Sequence, residues 1–282
     1  MNFAKGGIHI VRRTIDPATL APALLDSFFE VAIMKKFLLE ICVDSFESAR
    51  RASENGADRL ELCGDLLVGG VSPSPFLIEQ VAQRIKTPVN VLLRPRFGDF
   101  CFTDEEKEIL LKEIEFCANA GVNGVVIGAL TPEGELDVPF LSQCMAAAGD
   151  LEVTLHRCCD VCRDGFAAIE TACDLGIQTI LTSGQMATAP LGAENLKAFR
   201  KFAADRIHLM AGSGVSAANI PQLHEQTGIC HFHLSAKQSE PGPMKFKRGG
   251  VPMGLPMASE FDRQYASPDA VKAARKAIDS LK

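Results

Sequence analysis

The sequence predicts an α/β fold, a (β/α)8 barrel of the TIM type, with an N-terminal extension before it and a long loop after strand eight. Three observations lead there. Short β-rich runs alternate with helical patterns at roughly 30 residues per unit. Four of those runs share one lead-in, a glycine or small residue closing a helix and then an apolar stretch: NGADRLELC (55–63), AGVNGVVIGA (120–129), LGIQTILTSG (175–184) and TGICHFHLSA (227–236). The GxGxxG fingerprint of the rival doubly wound sheet is absent.

Taken in order, the first strand is FLLEICV (37–43). SFESARRASEN (45–55) follows as a helix opened by a Ser cap, with Glu47 close to, but not at, capping-box spacing. The second strand ends NGADRLELC, and the third is VNVLLRP (89–95). TDEEKEILLKEIEFCANA (103–120) carries apolar residues at 109, 110, 114, 116 and 117, a helical stripe. The fourth strand lies in 120–129, the fifth is LEVTLHR (151–157), the sixth lies in 175–184, the seventh is RIHLMAG (206–212) and the eighth lies in 227–236. The stretch 235–261 is too long for an ordinary connection and is expected to lie over the barrel mouth. Its Met244, Met253 and Met257 are soft donors or apolar cover. SPDAVKAARKAIDSL (267–281) closes the barrel as a helix with a Ser cap and Pro in its first turn. The domains are then 1–36, an extension, and 37–282, the barrel. MKKFLLEIC (34–42) reads as a natural start, so residues 1–33 are expected to be an extension or a wrongly chosen start, with an amphipathic helix at 20–33 as the structural alternative.

Composition excludes several classes. A net charge of −6 and a pI near 5.6 argue against nucleic acid as a partner, and the one basic cluster, MKFKRGG (244–250), is too short to change that. The apolar stretch 20–34 is broken by Asp26 and Glu30, so no membrane span is expected. Ten cysteines spread through a core-rich chain read as reduced thiols in a cytoplasmic protein, not a disulfide framework.

A barrel of this type builds its site at the C-terminal strand ends. The first two strands match there, LEIC and LELC, so Glu40 shares a face with Cys42, and Glu61 with Cys63. Thiols at neighbouring strand ends suit Cu(I), for which two sulfurs suffice; the alternative is two small buried hydrophobes. A carboxylate inside an apolar strand needs a partner, for which Arg94 or Arg96 is available, with Asp99 a further carboxylate. His156 ends the fifth strand as a general base, a metal ligand or a hydrogen-bonded structural group, with Arg157 and Asp160 placed to orient it. The turn Gly212-Ser213-Gly214 after strand seven and Ser235 after strand eight stand where backbone N–H groups can hold an anion. Two functions follow: a Cu(I)-binding protein using Cys42 and Cys63, or an isomerase or lyase acting on a small anionic or phosphorylated compound through Glu40, Glu61, Arg94, Asp99, His156, Arg157 and Asp160.

The motifs LEICVDSFESA, NGADRLELC, LLRPRFGDFCFTDEE, GVVIGALTPEGELD, TLHRCCD, LTSGQ, MAGSGV and FHLSA followed by MKF resemble, in order from Phe37 to the C-terminus, the CutC family of copper homeostasis proteins. That resemblance implies a cytoplasmic (β/α)8 barrel, a homo-oligomer associated with Cu(I), with Cys42 and Cys63 as copper ligands. One departure stands out. The family pattern His-Arg-Ala-Phe-Asp reads His156-Arg157-Cys158-Cys159-Asp160 here, with Cys162 beyond it.

Overall fold

The computed structural model describes residues 37–255 and 258–281. The extension over 1–36, with the helix expected at 20–33, and Met257 lie outside the described residues. Eight parallel strands close into a barrel: β1 (Leu38–Val43), β2 (Arg59–Leu62), β3 (Val89–Leu92), β4 (Gly124–Ile127), β5 (Glu152–Leu155), β6 (Thr179–Thr182), β7 (His208–Ala211) and β8 (His231–Leu234), which pairs back onto β1. The helices α1 (Phe46–Glu54), α2 (Pro75–Arg84), α3 (Asp104–Ala120), α4 (Val138–Ala148), α5 (Gly165–Asp174), α6 (Ala193–Ala203), α7 (Ile220–Thr227) and α8 (Pro268–Asp279) alternate with them.

Local chemistry sets the boundaries. Ser45 and Ser267 cap α1 and α8 as expected, accepting hydrogen bonds from the Ser48 and Ala270 amides. α3 opens on a full capping box between Thr103 and Glu106. Gly121 and Gly228 end α3 and α7 in the left-handed region, at φ 75° and 71°, where a side chain is strained.

Strand alternation divides the protein into two interiors. Leu39, Ile41, Leu60, Leu62, Val91 and Leu155 point out to the helices and join one continuous apolar core. Burying each such side chain is worth about 1.5–3 kcal/mol. The inward positions are mostly polar. Glu40 lies level with Arg59 on one side and His233 on the other, and Cys42 is level with Glu61. Apolar packing there shrinks to a small cluster of Cys42, Cys63, Leu92 and Val126.

The stretch after β8, expected as one long loop, has a built base. Lys237–Pro241 (β9) and Asp262–Ala266 (β10) form an antiparallel ribbon. Its edge is tied to α1 by the Ala266 amide donating to Ser48 Oγ at 3.2 Å and by an Arg51–Glu240 ion pair. Among the described residues no helix is long and apolar enough to cross a membrane.

Candidate functional site

A cavity of about 910 Å³ opens at the C-terminal end of the barrel. Its first wall comes from β1, β2 and β8. Beneath it Glu40, wholly buried, accepts from Arg59 Nε at 2.6 Å and pairs with His233 Nδ1 at 2.7 Å. Burial alone would raise the Glu40 carboxyl, but the Arg59 charge and the His233 hydrogen bond outweigh it and hold it at about 2. Arg59 also reaches Glu152 at 3.2 Å. The second ring nitrogen of His233, Nε2, lies 3.8 Å from Glu61 Oε2. Burial pushes His233 down, yet Cys42, Glu61 and Glu40 together raise it well above the ordinary imidazole range. The Cys63 thiol donates to Glu61 Oε2 at 3.3 Å, and burial with that neighbouring carboxylate pushes Cys63 up.

The second wall comes from the ends of β3, β5 and β6. Arg94 donates to the carbonyls of Gly70 (3.2 Å) and Gly98 (2.7 Å) and stacks its guanidinium 4.7 Å over Phe100. His156 packs against the same ring, and its Nδ1 accepts the Cys158 amide at 3.2 Å. Burial and the Arg94 charge push His156 down to about 3, so it is neutral. Asp160 accepts from Arg157 (2.7 Å), Thr182 Oγ1 (2.6 Å), the Ser183 and Gln185 amides and the Ser183 hydroxyl. With so many donors it fixes the loop after β6 against the 3₁₀ turn Arg157–Asp160.

Most of the residues picked out in the sequence converge. Cys42, Glu61, Arg94, His156, Arg157, Asp160, Ser213, Gly214 and Ser235 border the cavity. Glu40 and Cys63 stand behind its wall, each with no exposed surface. Asp99 is exposed outside the cavity, paired with Arg96 at 3.1 Å. Gly212 also lies off the lining; its amide donates to Thr182, and a Cβ there would meet Leu181 at 2.5 Å. Because β5 ends at Leu155, Cys158 and Cys159 do not continue a strand. Both are buried, Cys159 donating to the Leu181 carbonyl at 3.4 Å, and Cys162 donates to the Cys159 carbonyl at 3.0 Å. They pack as small hydrophobic residues in the core.

Two residues were missed as partners. Arg59 sits at the N-terminal end of β2, where no site was sought, yet its side chain rises to Glu40. His233 was visible as a polar residue in the last strand, but its partners come from strands nearly two hundred positions away. Cys42, Glu61 and His233 place one sulfur, one oxygen and one nitrogen within 4.8 Å of one another, all buried.

A polar-lined (β/α)8 barrel with a soft donor at its mouth defines the class of protein. The particular family follows from comparison: the CutC family model matches residues 37–238, and the chain belongs to the CutC family. A family protein CutC from Bacteroides fragilis is 43% identical over 249 residues, covering 88% of this chain and 99% of that one. One from Vibrio campbellii is 41% identical over 235 residues, covering 83% and 95%. A crystal structure described as a CutC copper homeostasis protein from Streptococcus agalactiae superposes with a TM-score of 0.68 at 29% identity, covering 71% of this chain and 98% of that one. Thiamine phosphate pyrophosphorylase from Pyrococcus furiosus, at 13% identity and a TM-score of 0.53, shares the fold alone.

Proposed function

We propose that the protein serves copper homeostasis in the cytoplasm by holding Cu(I) at the barrel mouth, with Cys42 and His233 as ligands and Cys63 as the second sulfur. The observation that carries this reading is the buried Cys42–Glu61–His233 cluster. Sulfur and imidazole nitrogen are the donors a soft monovalent copper prefers. The Glu40 carboxylate engages Nδ1 of His233 and turns Nε2 toward Cys42 and Glu61, the outer-shell arrangement that orients a metal-binding histidine. Cys63 belongs to the same small cluster as Cys42 and reaches the ion by releasing Glu61. Loading then expels protons, because thiolate and neutral imidazole are the binding forms.

Competition for Cu(I) against a chromophoric chelator tests this. Cys42→Ser and His233→Gln are each expected to weaken binding by roughly tenfold to a hundredfold or more. Unchanged stoichiometry and affinity in the Cys42→Ser/Cys63→Ser double variant would show that copper, if it binds, binds elsewhere.

A further inference from the structure

The second wall has features that one soft metal does not use. Arg94 is only 8% exposed and has no carboxylate within ion-pair distance among the described residues. Two of its five N–H bonds go to the Gly70 and Gly98 carbonyls, and its Nε is buried with no partner among the described residues. The other buried arginine of the barrel interior, Arg59, is paired with Glu40 and Glu152. A guanidinium stripped of water and left without a counter-charge is costly, so its retention points to an anion supplied from outside. His156 stands beside it. Its Nδ1 is occupied as an acceptor, so the ring proton sits on Nε2, a buried donor that also has no partner among the described residues.

The same cavity is bordered by the turn 213–218. Ser213 and Gly214 are both left-handed, at φ 71° and 69°. The amides of Ser213, Gly214, Val215, Ala217 and Ala218 make no hydrogen bond to the described residues, whereas the Ser216 amide is taken by Asn219. Uncommitted N–H groups on a turn that borders the cavity suit an anion with several equivalent oxygens, a phosphoryl group. Arg94, with three of its five N–H bonds uncommitted among the described residues, suits a carboxylate.

We propose that the mouth binds, besides the metal, a small phosphorylated carboxylic acid, its phosphoryl group in the 213–218 turn and its carboxylate on Arg94 and His156. The cavity, about 910 Å³, is large enough for such a compound. This ligand does not depend on the copper reading, since no residue it uses is a proposed copper ligand.

Calorimetric titration with phosphoglycolate, 3-phosphoglycerate and 6-phosphogluconate probes the separation of the two anionic ends. Inorganic phosphate, glycolate, glycerate and gluconate serve as the halves. At least one phosphorylated acid is expected to bind tenfold or more tighter than either of its halves. Arg94→Gln is expected to lose that tenfold. Arg96→Gln, which alters a half-buried arginine paired outside the cavity, is expected to keep it, and Cu(I) affinity should be the same in all three proteins. The proposal is overturned if no phosphorylated acid exceeds its halves, or if a folded Arg94→Gln protein binds as the wild type does. Wild-type crystals soaked with the tightest probe decide the matter should Arg94→Gln not fold: density bridging the turn and Arg94 supports it, and density elsewhere overturns it.

Discussion

The two walls of the mouth handle buried charge in opposite ways. On the β1–β2–β8 wall every charge is answered: Arg59 by Glu40 and Glu152, and His233 by Glu40 and Glu61. On the β3–β5 wall Arg94 is answered, among the described residues, only by carbonyl dipoles and an aromatic face, and burial together with its charge lowers the basicity of the histidine beside it. The histidines differ accordingly, His233 raised well above its ordinary value and His156 lowered to about 3. A closed network holds shape and can orient a ligand to a cation. An open one is electrostatically incomplete and attracts an anion.

The closed wall should be the less forgiving. Glu40→Ala leaves Arg59 buried with only the exposed Glu152 for company and removes the partner of His233 Nδ1. Losing one member of a buried pair costs about 3–5 kcal/mol. Urea unfolding is expected to show that loss. A cost under about 1 kcal/mol would mean that water reaches Arg59 and the wall is not closed.

The contrast between the histidines can be read from pH. Folded His156 stays neutral down to about 3, while in the unfolded chain it takes a proton near 6.5. Its contribution is therefore complete above pH 6.5 and is lost progressively as pH falls from 6.5 toward 3. His231, lowered to about 4 by burial and by His208, works in the same direction, so the informative quantity is a difference between variants. Wild type minus His156→Gln should slope by about 1.4 kcal/mol per pH unit between pH 6 and 4, or about 3 kcal/mol over that window. Parallel curves would mean that His156 is hydrated in the folded protein.

The barrel was legible because its signals are local. The αL stops at Gly121 and Gly228, the serine caps and the two-residue alternation of LEIC and LELC are written within a few positions of where they act. Polar residues at strand ends led to Cys42, Glu61, Arg94 and His156 by the same route. Pairing was not legible. Glu40 was expected to take Arg94 or Arg96, yet its partner is Arg59, level with it across β1 and β2, because register decides contact and no single strand encodes it. Asp99 follows a glycine at φ 100° and turns out to solvent, which spacing along LLRPRFGDF could not reveal. His233 was passed over for a similar reason. Closing a barrel brings the last strand against the first, and that closure is what carries Nδ1 to Glu40.

The smallest effect separates the walls by its sign. Arg94→Met keeps the apolar stem of the side chain, stops short of the guanidinium and removes a buried charge that has no ion-pair partner among the described residues. It forfeits the bonds to the Gly70 and Gly98 carbonyls and the stacking on Phe100. A buried charge without a counter-charge carries an uncompensated desolvation cost, and an apolar side chain in its place removes that cost. The expected outcome is a gain of about 1 kcal/mol in urea unfolding. The companion Arg59→Met, which strands Glu40, is expected to lose about 3 kcal/mol. Stability gained by deleting a residue is the mark of one kept for binding rather than for folding. Should Arg94→Met instead lose more than about 1 kcal/mol, Arg94 is a strut between the loops carrying Gly70 and Gly98, and both walls are closed.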